Sequence, residues 1–224
     1  MAVQGYFVTG TDTEVGKTWV SVGLITLLKQ QGLRVAGMKP VSAGCSVTAE
    51  GLRNDDALWL QRHANVELTY NEVNPYALLP PIAPHIAAAE IGMCIDIQQL
   101  QDVFDTMAGR ADQVIVEGAG GWRVPLNERQ TMADLAQALG LPVILVVGIR
   151  LGCINHALLS ADAIALSGLP LAGWVANRVD RDCRAADENI EAIAQRVGAP
   201  LLGAIPYMAD FDAEGVARHF DGLT

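Results

Sequence analysis

Short apolar runs alternate with longer amphipathic segments along most of the chain. Tyr6-Phe7-Val8 reads as a strand, and Trp19 to Leu28 then carries Val20, Leu24, Leu27 and Leu28 at helical spacing. Gly32 follows as the natural left-handed residue beyond that helix. Val35-Ala36-Gly37-Met38 predicts a second strand whose carboxyl end presents Lys39, just before Pro40. A stretch of small residues, Val41 to Gly51, leads to a helix that either Asn54 or Asp55 could cap. Four prolines between Asn74 and Pro84 predict an extended connection, with a short helix near His85 to Glu90. Asp96 to Ala108 reads as a helix, Val114 to Glu117 as a buried strand ending in a carboxylate, and Thr131 to Leu139 as the next helix. Pro142 to Val147 is apolar throughout, as expected of a strand covered on both faces. A helix opens within Gly148 to His156 and runs to about Ser167. Leu171 to Ala176 forms a strand ending at Asn177, a polar helix spans Arg184 to Val197, and a last strand runs from Leu201 to Ile205. The acidic tail from Tyr207 to Thr224 is weakly periodic and predicts no element.

This alternation predicts one α/β domain over residues 1–224, with a mostly parallel sheet of about six or seven strands and helices on both faces. With 51% of 224 residues apolar, one substantial core is within reach. A net charge of −10 with only 15 basic residues argues against nucleic acid as a general partner, so any local positive charge must be placed deliberately. Cys45, Cys94, Cys153 and Cys183 show no Cys-x-x-Cys spacing and read as reduced thiols rather than a zinc site or disulfide scaffold. The start carries no basic segment followed by a cleavable apolar one, and the run Val143 to Val147 is far too short to span a bilayer. A cytoplasmic protein without a membrane partner is expected.

The chemistry concentrates in Gly10-Thr11-Asp12-Thr13-Glu14-Val15-Gly16-Lys17-Thr18, between the first strand and the first helix. That context suits a phosphate-binding loop and hence a P-loop NTPase-like fold: backbone N–H groups and the helix dipole face an anion, Lys17 adds a compact charge, and the Thr18 hydroxyl can ligate Mg²⁺. Five residues separate Gly10 from Gly16, one more than a strict Walker pattern has. A lysine in a helix's first turn is unfavourable unless an anion lies there, which favours the phosphate reading over an ordinary turn. Val116-Glu117 followed by Gly118-Ala119-Gly120-Gly121 has the layout of a Walker B element, and the glycines let a ligand approach the backbone or simply form a turn. Lys39 either faces a ligand or snorkels from its strand end. Of Asp55 and Asp56, one is free to reach a metal, and the residues alone do not say which. The glycine-containing start of the helix near Gly152 could receive a second anion or be an ordinary helix start. His85 has no evident partner and reads as structural.

Six segments in the same order, the loop Gly10 to Thr18, Lys39-Pro40-Val41, Gly51 to Ala57, Val116 to Trp122, Gly152 to His156 and Gly173 to Asn177, together resemble the ATP-dependent dethiobiotin synthetases. The lengthened phosphate loop is characteristic of that family. The resemblance implies a homodimeric enzyme of biotin synthesis that joins 7,8-diaminononanoate and CO₂ into a cyclic urea while cleaving ATP to ADP and phosphate, with Mg²⁺ required. It implies that Lys17 and Lys39 are catalytic, and that Thr18, Asp56 and Glu117 hold the metal. Thr13, Glu14, Val15, Gly16, Lys17, Thr18, Trp19, Asp56, Glu117, Gly118, Ala119 and Gly120 would hold nucleotide and metal. Asn177, Arg178, Pro206, Tyr207 and Met208 would meet adenine. Lys39, Ser42, Ala43, Gly120 and Gly121 would meet the diamine, whose distal carboxylate would reach Gly152, Cys153 and Asn155 of the other subunit.

Family members often read Lys-Pro-Val-x-Ser-Gly, whereas this chain has Lys39-Pro40-Val41-Ser42-Ala43-Gly44, so the hydroxyl that would contact substrate is displaced by one residue. Either Ser42 substitutes or that contact is missing, which bears on substrate preference and admits a paralogue acting on a related substrate. A P-loop ATPase switch of the partitioning type is a second reading. Such switches usually carry an additional lysine early in the loop, where this chain has Asp12, Thr13 and Glu14. An amidating synthetase would need a glutamine-hydrolysing portion for which the chain has little room.

Overall fold

The computed structural model describes residues 5–220. The expectations drawn from the start, residues 1–4, and from the end of the tail, 221–224, lie outside that span. The chain opens with β1 (Gly5–Gly10), α1 (Lys17–Gln30) and β2 (Val35–Met38), followed by the short strands β3 (Val41–Ser42), β4 (Ser46–Thr48) and β5 (Gly51–Arg53). Next come α2 (Asp55–His63), α3 (Tyr70–Val73), β6 (Tyr76–Ala77), α4 (Pro84–Glu90) and α5 (Ile97–Ala108). The second half alternates regularly: β7 (Gln113–Gly121), α6 (Met132–Leu139), β8 (Val143–Gly148), α7 (Cys153–Leu166), β9 (Leu171–Asn177), α8 (Ala186–Ala194), β10 (Leu201–Ile205) and α9 (Ala213–Ala217).

Six strands form one wholly parallel sheet in the order β10-β9-β8-β1-β7-β2, so the expected sheet has six members. Helices cover both faces of the sheet, so the interior strand β8 and even the edge strand β2 are buried at every residue, and Phe7, Val8, Val116 and Val146 are fully inaccessible. The first two strands to form in sequence, β1 and β2, do not pair; β7 lies between them. The carboxyl ends of β1, β2 and β7 are thereby gathered on one side, where open parallel sheets bind ligands.

Two short accessory sheets, β3 with β6 and β4 with β5, arise from the small-residue stretch and the proline-rich connection, for which no strand was expected. The strand ending at Glu117 runs further than expected. Parallel pairing with β1 shifts register after Val8↔Glu117 and resumes at Gly10↔Gly121, so Gly118 to Gly121 belong to an irregular end of the strand rather than to a free loop. Gly118 packs closely there, since a Cβ would stand 3.2 Å from the Phe7 ring, which would have to shift by a few tenths of an ångström to admit it. The tail also gains an element: α9 packs on α1, and a Cβ at Gly23 would lie 2.4 Å from Val216.

Candidate active site

The phosphate loop is held open by its own backbone. Glu14 and Gly16 take left-handed conformations, φ 59° and 86°. A Cβ at Gly16 would lie 2.1 Å from Asn177 Nδ2, so only glycine fits that position. Val15 anchors the loop into the core, and Asn177 at the end of β9 donates from Nδ2 to the Val15 carbonyl at 2.9 Å. No side chain caps α1, and its first turn holds no acid. Its leading N–H groups and positive dipole end therefore remain available for an anion.

Lys17 and Thr18 are the first residues of α1, and Lys39 extends directly from β2. Asn54, not Asp55, caps α2 by accepting from the Ala57 N–H, leaving both acids in the first helical turn. The two acids differ in their partners: Asp56 pairs with Lys39 Nζ at 2.9 Å, while Asp55 lines the same cavity without that contact. Lys39 Nζ also donates to Glu117 Oε1 at 2.6 Å and weakly to the Gly118 carbonyl at 3.4 Å. The Thr18 hydroxyl donates to the same Glu117 oxygen at 2.9 Å. Lys17 Nζ donates to the Asp12 carbonyl at 2.7 Å, folded back on its own loop.

Burial shapes the protonation of this group. Desolvation, helped by the nearby Lys39 charge, lowers Lys17 to about 8. Desolvation acts the same way on Lys39, but the Glu117 and Asp56 carboxylates outweigh it and push Lys39 up to about 12. Burial raises Glu117 against the opposing pull of Lys39. Asp56 is penalised by burial too, yet Lys39 and Thr18 hold it below the usual carboxylate range.

These groups share one cavity of about 1010 Å³. Its floor holds Lys17, Thr18, Lys39, Asp56 and Glu117, with Thr13, Glu14 and Gly16 beside them. Ser42, Ala43, Ala119 and Gly120 also line the cavity, as do Trp19, Asn177, Arg178, Tyr207 and Met208. Among the expected site residues, Val15, Gly118, Gly121 and Pro206 do not line it, since Val15 lies in the core and Gly118 behind Lys39. Gly152, Cys153 and Asn155 are not among its lining residues either; Cys153 is buried, whereas Gly152 and Asn155 are exposed.

Several lining residues went unread in sequence. Trp59 lies one turn after Asp56 on α2, a spacing that could have revealed it. Phe211 stacks into an aromatic corner with Trp59 and Trp19, at ring separations of 4.9 and 5.3 Å, but comes from a tail with no periodic signal. Pro81 to Pro84 line the cavity as well. The Ser42 hydroxyl, taken up by Asn74 Oδ1 at 2.7 Å, is not free to serve as the displaced substrate contact.

The donor set suits Mg²⁺. Glu117 Oε2 is buried without a hydrogen-bond partner, and Asp56 and the Thr18 hydroxyl stand beside it. Among the described residues no cluster of three or more His, Cys, Asp or Glu could form a self-contained cage. Two carboxylates and a hydroxyl, completed by phosphate oxygens and water, match the hard octahedral ion.

A family model described as an AAA domain, AAA_26, matches residues 4–215. The ATP-dependent dethiobiotin synthetase BioD of Pseudomonas paraeruginosa strain PA7 is 54% identical over 217 residues, covering 96% of this chain and 95% of that one. The protein of the same name from Cellvibrio japonicus is 50% identical, with 99% and 97% covered. The chain belongs to the ATP-dependent dethiobiotin synthetase family. Among solved structures, the MinC:MinD cell division complex of Aquifex aeolicus superposes with TM-score 0.60 at 17% identity, covering 96% of this chain and 86% of that one. A ParA family ATPase from Chlorobium tepidum gives 0.58 at 15% identity, with 96% and 91% covered. At such identities these likenesses establish the P-loop fold that synthetases share with switches, and do not favour the switch reading for this synthetase-family chain.

Proposed function

We propose that this protein closes a cyclic urea from 7,8-diaminononanoate and CO₂ at the expense of ATP, forming dethiobiotin, ADP and phosphate in the cytoplasm. The observation that carries this reading is the convergence of two buried lysines and two carboxylates on the floor of one cavity, beside a phosphate loop. One substrate amine adds to CO₂ and loses a proton to give a carbamate anion. A carbamate oxygen then takes the γ-phosphoryl group as the bond to ADP breaks. The second amine attacks the carbonyl carbon, expelling phosphate and releasing a proton as the ring closes. Carbamate and triphosphate are both anionic, so bringing them together requires fixed positive charge and exact orientation. Lys17 meets the transferring phosphoryl group and Lys39 meets the carbamate. Thr18, Asp56 and Glu117 would hold Mg²⁺, which when bound would neutralise phosphate oxygens. Ala43 rather than Ser42 faces the diamine, and Asn177, Arg178, Tyr207 and Met208 form the adenine side.

ADP release is expected to require the diamine and bicarbonate together, tested by omitting each in turn. Equal hydrolysis without diamine would instead point to an ATPase switch.

The distal carboxylate is received by α7 of a second subunit. This part of the reading rests on a helix whose cap, Gly152, contributes no side-chain bond, and whose apolar Leu159 and Leu166, 60% and 84% exposed, lie seven residues apart on one face. The protein should therefore sediment as a dimer of the 23.8 kDa chain. Mixing inactive Lys39→Ala with inactive Asn155→Lys should restore roughly a quarter of wild-type activity, since random twofold dimers give one intact site in half of the assemblies. A mixture without recovery would place the carboxylate contact within one chain.

A further inference from the structure

We propose that Tyr70 and Asn74, neither of which lines the cavity, are positioning residues that hold Lys39 and Asp56 in register across it. This rests on the roles given above to Lys39 and Asp56. The two come from different elements, the end of β2 and the first turn of α2, and face each other at 2.9 Å. A closed circuit of hydrogen bonds joins their backbones behind that contact. Asn74, 2% exposed, donates from Nδ2 to the Lys39 carbonyl at 2.6 Å and accepts at Oδ1 from the Tyr70 hydroxyl at 3.0 Å. The Tyr70 oxygen in turn accepts the Asn54 N–H at 2.7 Å, and Asn54 is the cap that starts α2 two residues before Asp56. On the Lys39 side the hold is doubled, because the Lys39 N–H donates to the Val73 carbonyl at 2.8 Å.

The amide has no freedom to flip. Its two acceptor sites are filled by Tyr70 and Ser42, and Nδ2 faces two carbonyls, those of Lys39 and Tyr76. Because the single Ser42 proton goes to Asn74, the Cys45 thiol must donate to Ser42 at 3.2 Å. A buried network satisfied at each of these positions is stiff, and its geometry is passed to whatever it holds. Tyr70 itself is fixed from outside the cavity: the Arg53 guanidinium lies 4.2 Å from its ring centre, and Thr69 and Glu72 form a capping box at the start of α3, with Glu72 paired to Arg110.

The test is Tyr70→Phe, which removes one oxygen and leaves the ring in place, measured beside Thr69→Ala, which loosens the start of α3 without touching the circuit. With ATP, diamine and bicarbonate saturating, Tyr70→Phe is expected to lower kcat about tenfold and to weaken Mn²⁺ binding in the presence of ADP several-fold by electron paramagnetic resonance, as loss of an outer-shell support does. The KM for ATP should stay within about twofold, because the phosphate loop is outside the circuit, and Thr69→Ala should keep kcat within about twofold at a similar melting temperature. A Tyr70→Phe enzyme with unchanged kcat and Mn²⁺ affinity, or one matched in both losses by Thr69→Ala, overturns the positioning role. The wild type assayed without diamine separates this from the broader reading. Diamine-independent hydrolysis overturns the synthetase function, whereas a diamine-dependent wild type with an unimpaired Tyr70→Phe overturns positioning alone.

Discussion

Lys39→Met is expected to lower diamine-dependent ADP release by on the order of a thousandfold while leaving ATP affinity within a few-fold, as removal of a preorganised cation from a developing anion does. Lys39 is 4% exposed and its ammonium is already directed into the site by Asp56 and Glu117, at 2.9 and 2.6 Å. Its third proton makes only the 3.4 Å contact with the Gly118 carbonyl, and that weakly engaged donor is the one free to meet a carbamate oxygen. Folding must be separated from chemistry, because methionine leaves Glu117 buried without its counter-charge, a loss of about 3–5 kcal/mol if the carboxylate stays ionised. Burial already raises the Glu117 pKa. In the variant Glu117 escapes by keeping its proton. A carboxyl whose folded pKa is raised contributes stability that is lost as pH rises through that pKa, so Lys39→Met should lose stability with increasing pH. Adding Glu117→Gln should remove that slope and recover the melting temperature without recovering turnover. Turnover by Lys39→Met within tenfold of wild type would mean that the carbamate lies elsewhere.

The regular part of the fold was legible because it obeys one period at a time. Strands such as Val143 to Gly148 are apolar on every residue, and the glycine after α1, Gly32, takes the expected left-handed conformation at φ 84°. The accessory strands were not legible, since β3 and β6 are two residues each and depend on pairing partners some 35 positions apart in sequence rather than on local pattern. The site divides along the same line. Lys17, Thr18, Lys39 and Glu117 announce themselves by standing at strand ends and loop ends. The choice between Asp55 and Asp56 required family resemblance, because helix capping and metal binding ask for the same residue types in the same turn. Tyr70 and Asn74 gave no signal, as a tyrosine and an asparagine beside prolines read only as turn chemistry. Phe211 reaches the cavity solely because α9 packs back onto α1.

Lys17→Ala should weaken ATP binding by roughly 10- to 100-fold, the equivalent of one charge-assisted hydrogen bond, and should also reduce kcat at saturating ATP by on the order of a hundredfold or more. The two losses arise from one group because Lys17 contacts phosphate in the ground state and gains more as charge shifts during transfer. Stability should change little: a buried lysine whose one hydrogen bond among the described residues is to the Asp12 carbonyl carries a desolvation cost that alanine removes. The same cost gives the wild type a pH signature. Desolvation and the neighbouring Lys39 lower Lys17 to about 8 in the free protein, while triphosphate favours its charged form. Only the protonated lysine attracts phosphate, so affinity is flat below neutrality, and binding takes up a proton as pH rises through about 8. ATP affinity should then fall about tenfold between pH 8 and 9.3, following one proton of linkage. Lys17→Arg, charged throughout, should lose the slope, and Lys17→Ala should show weak binding without it. Calorimetric titration across pH 6.5 to 9.5 reads all three. A wild-type affinity that stays level across that range would show that Lys17 is already fully charged by its surroundings and that burial does not tune it.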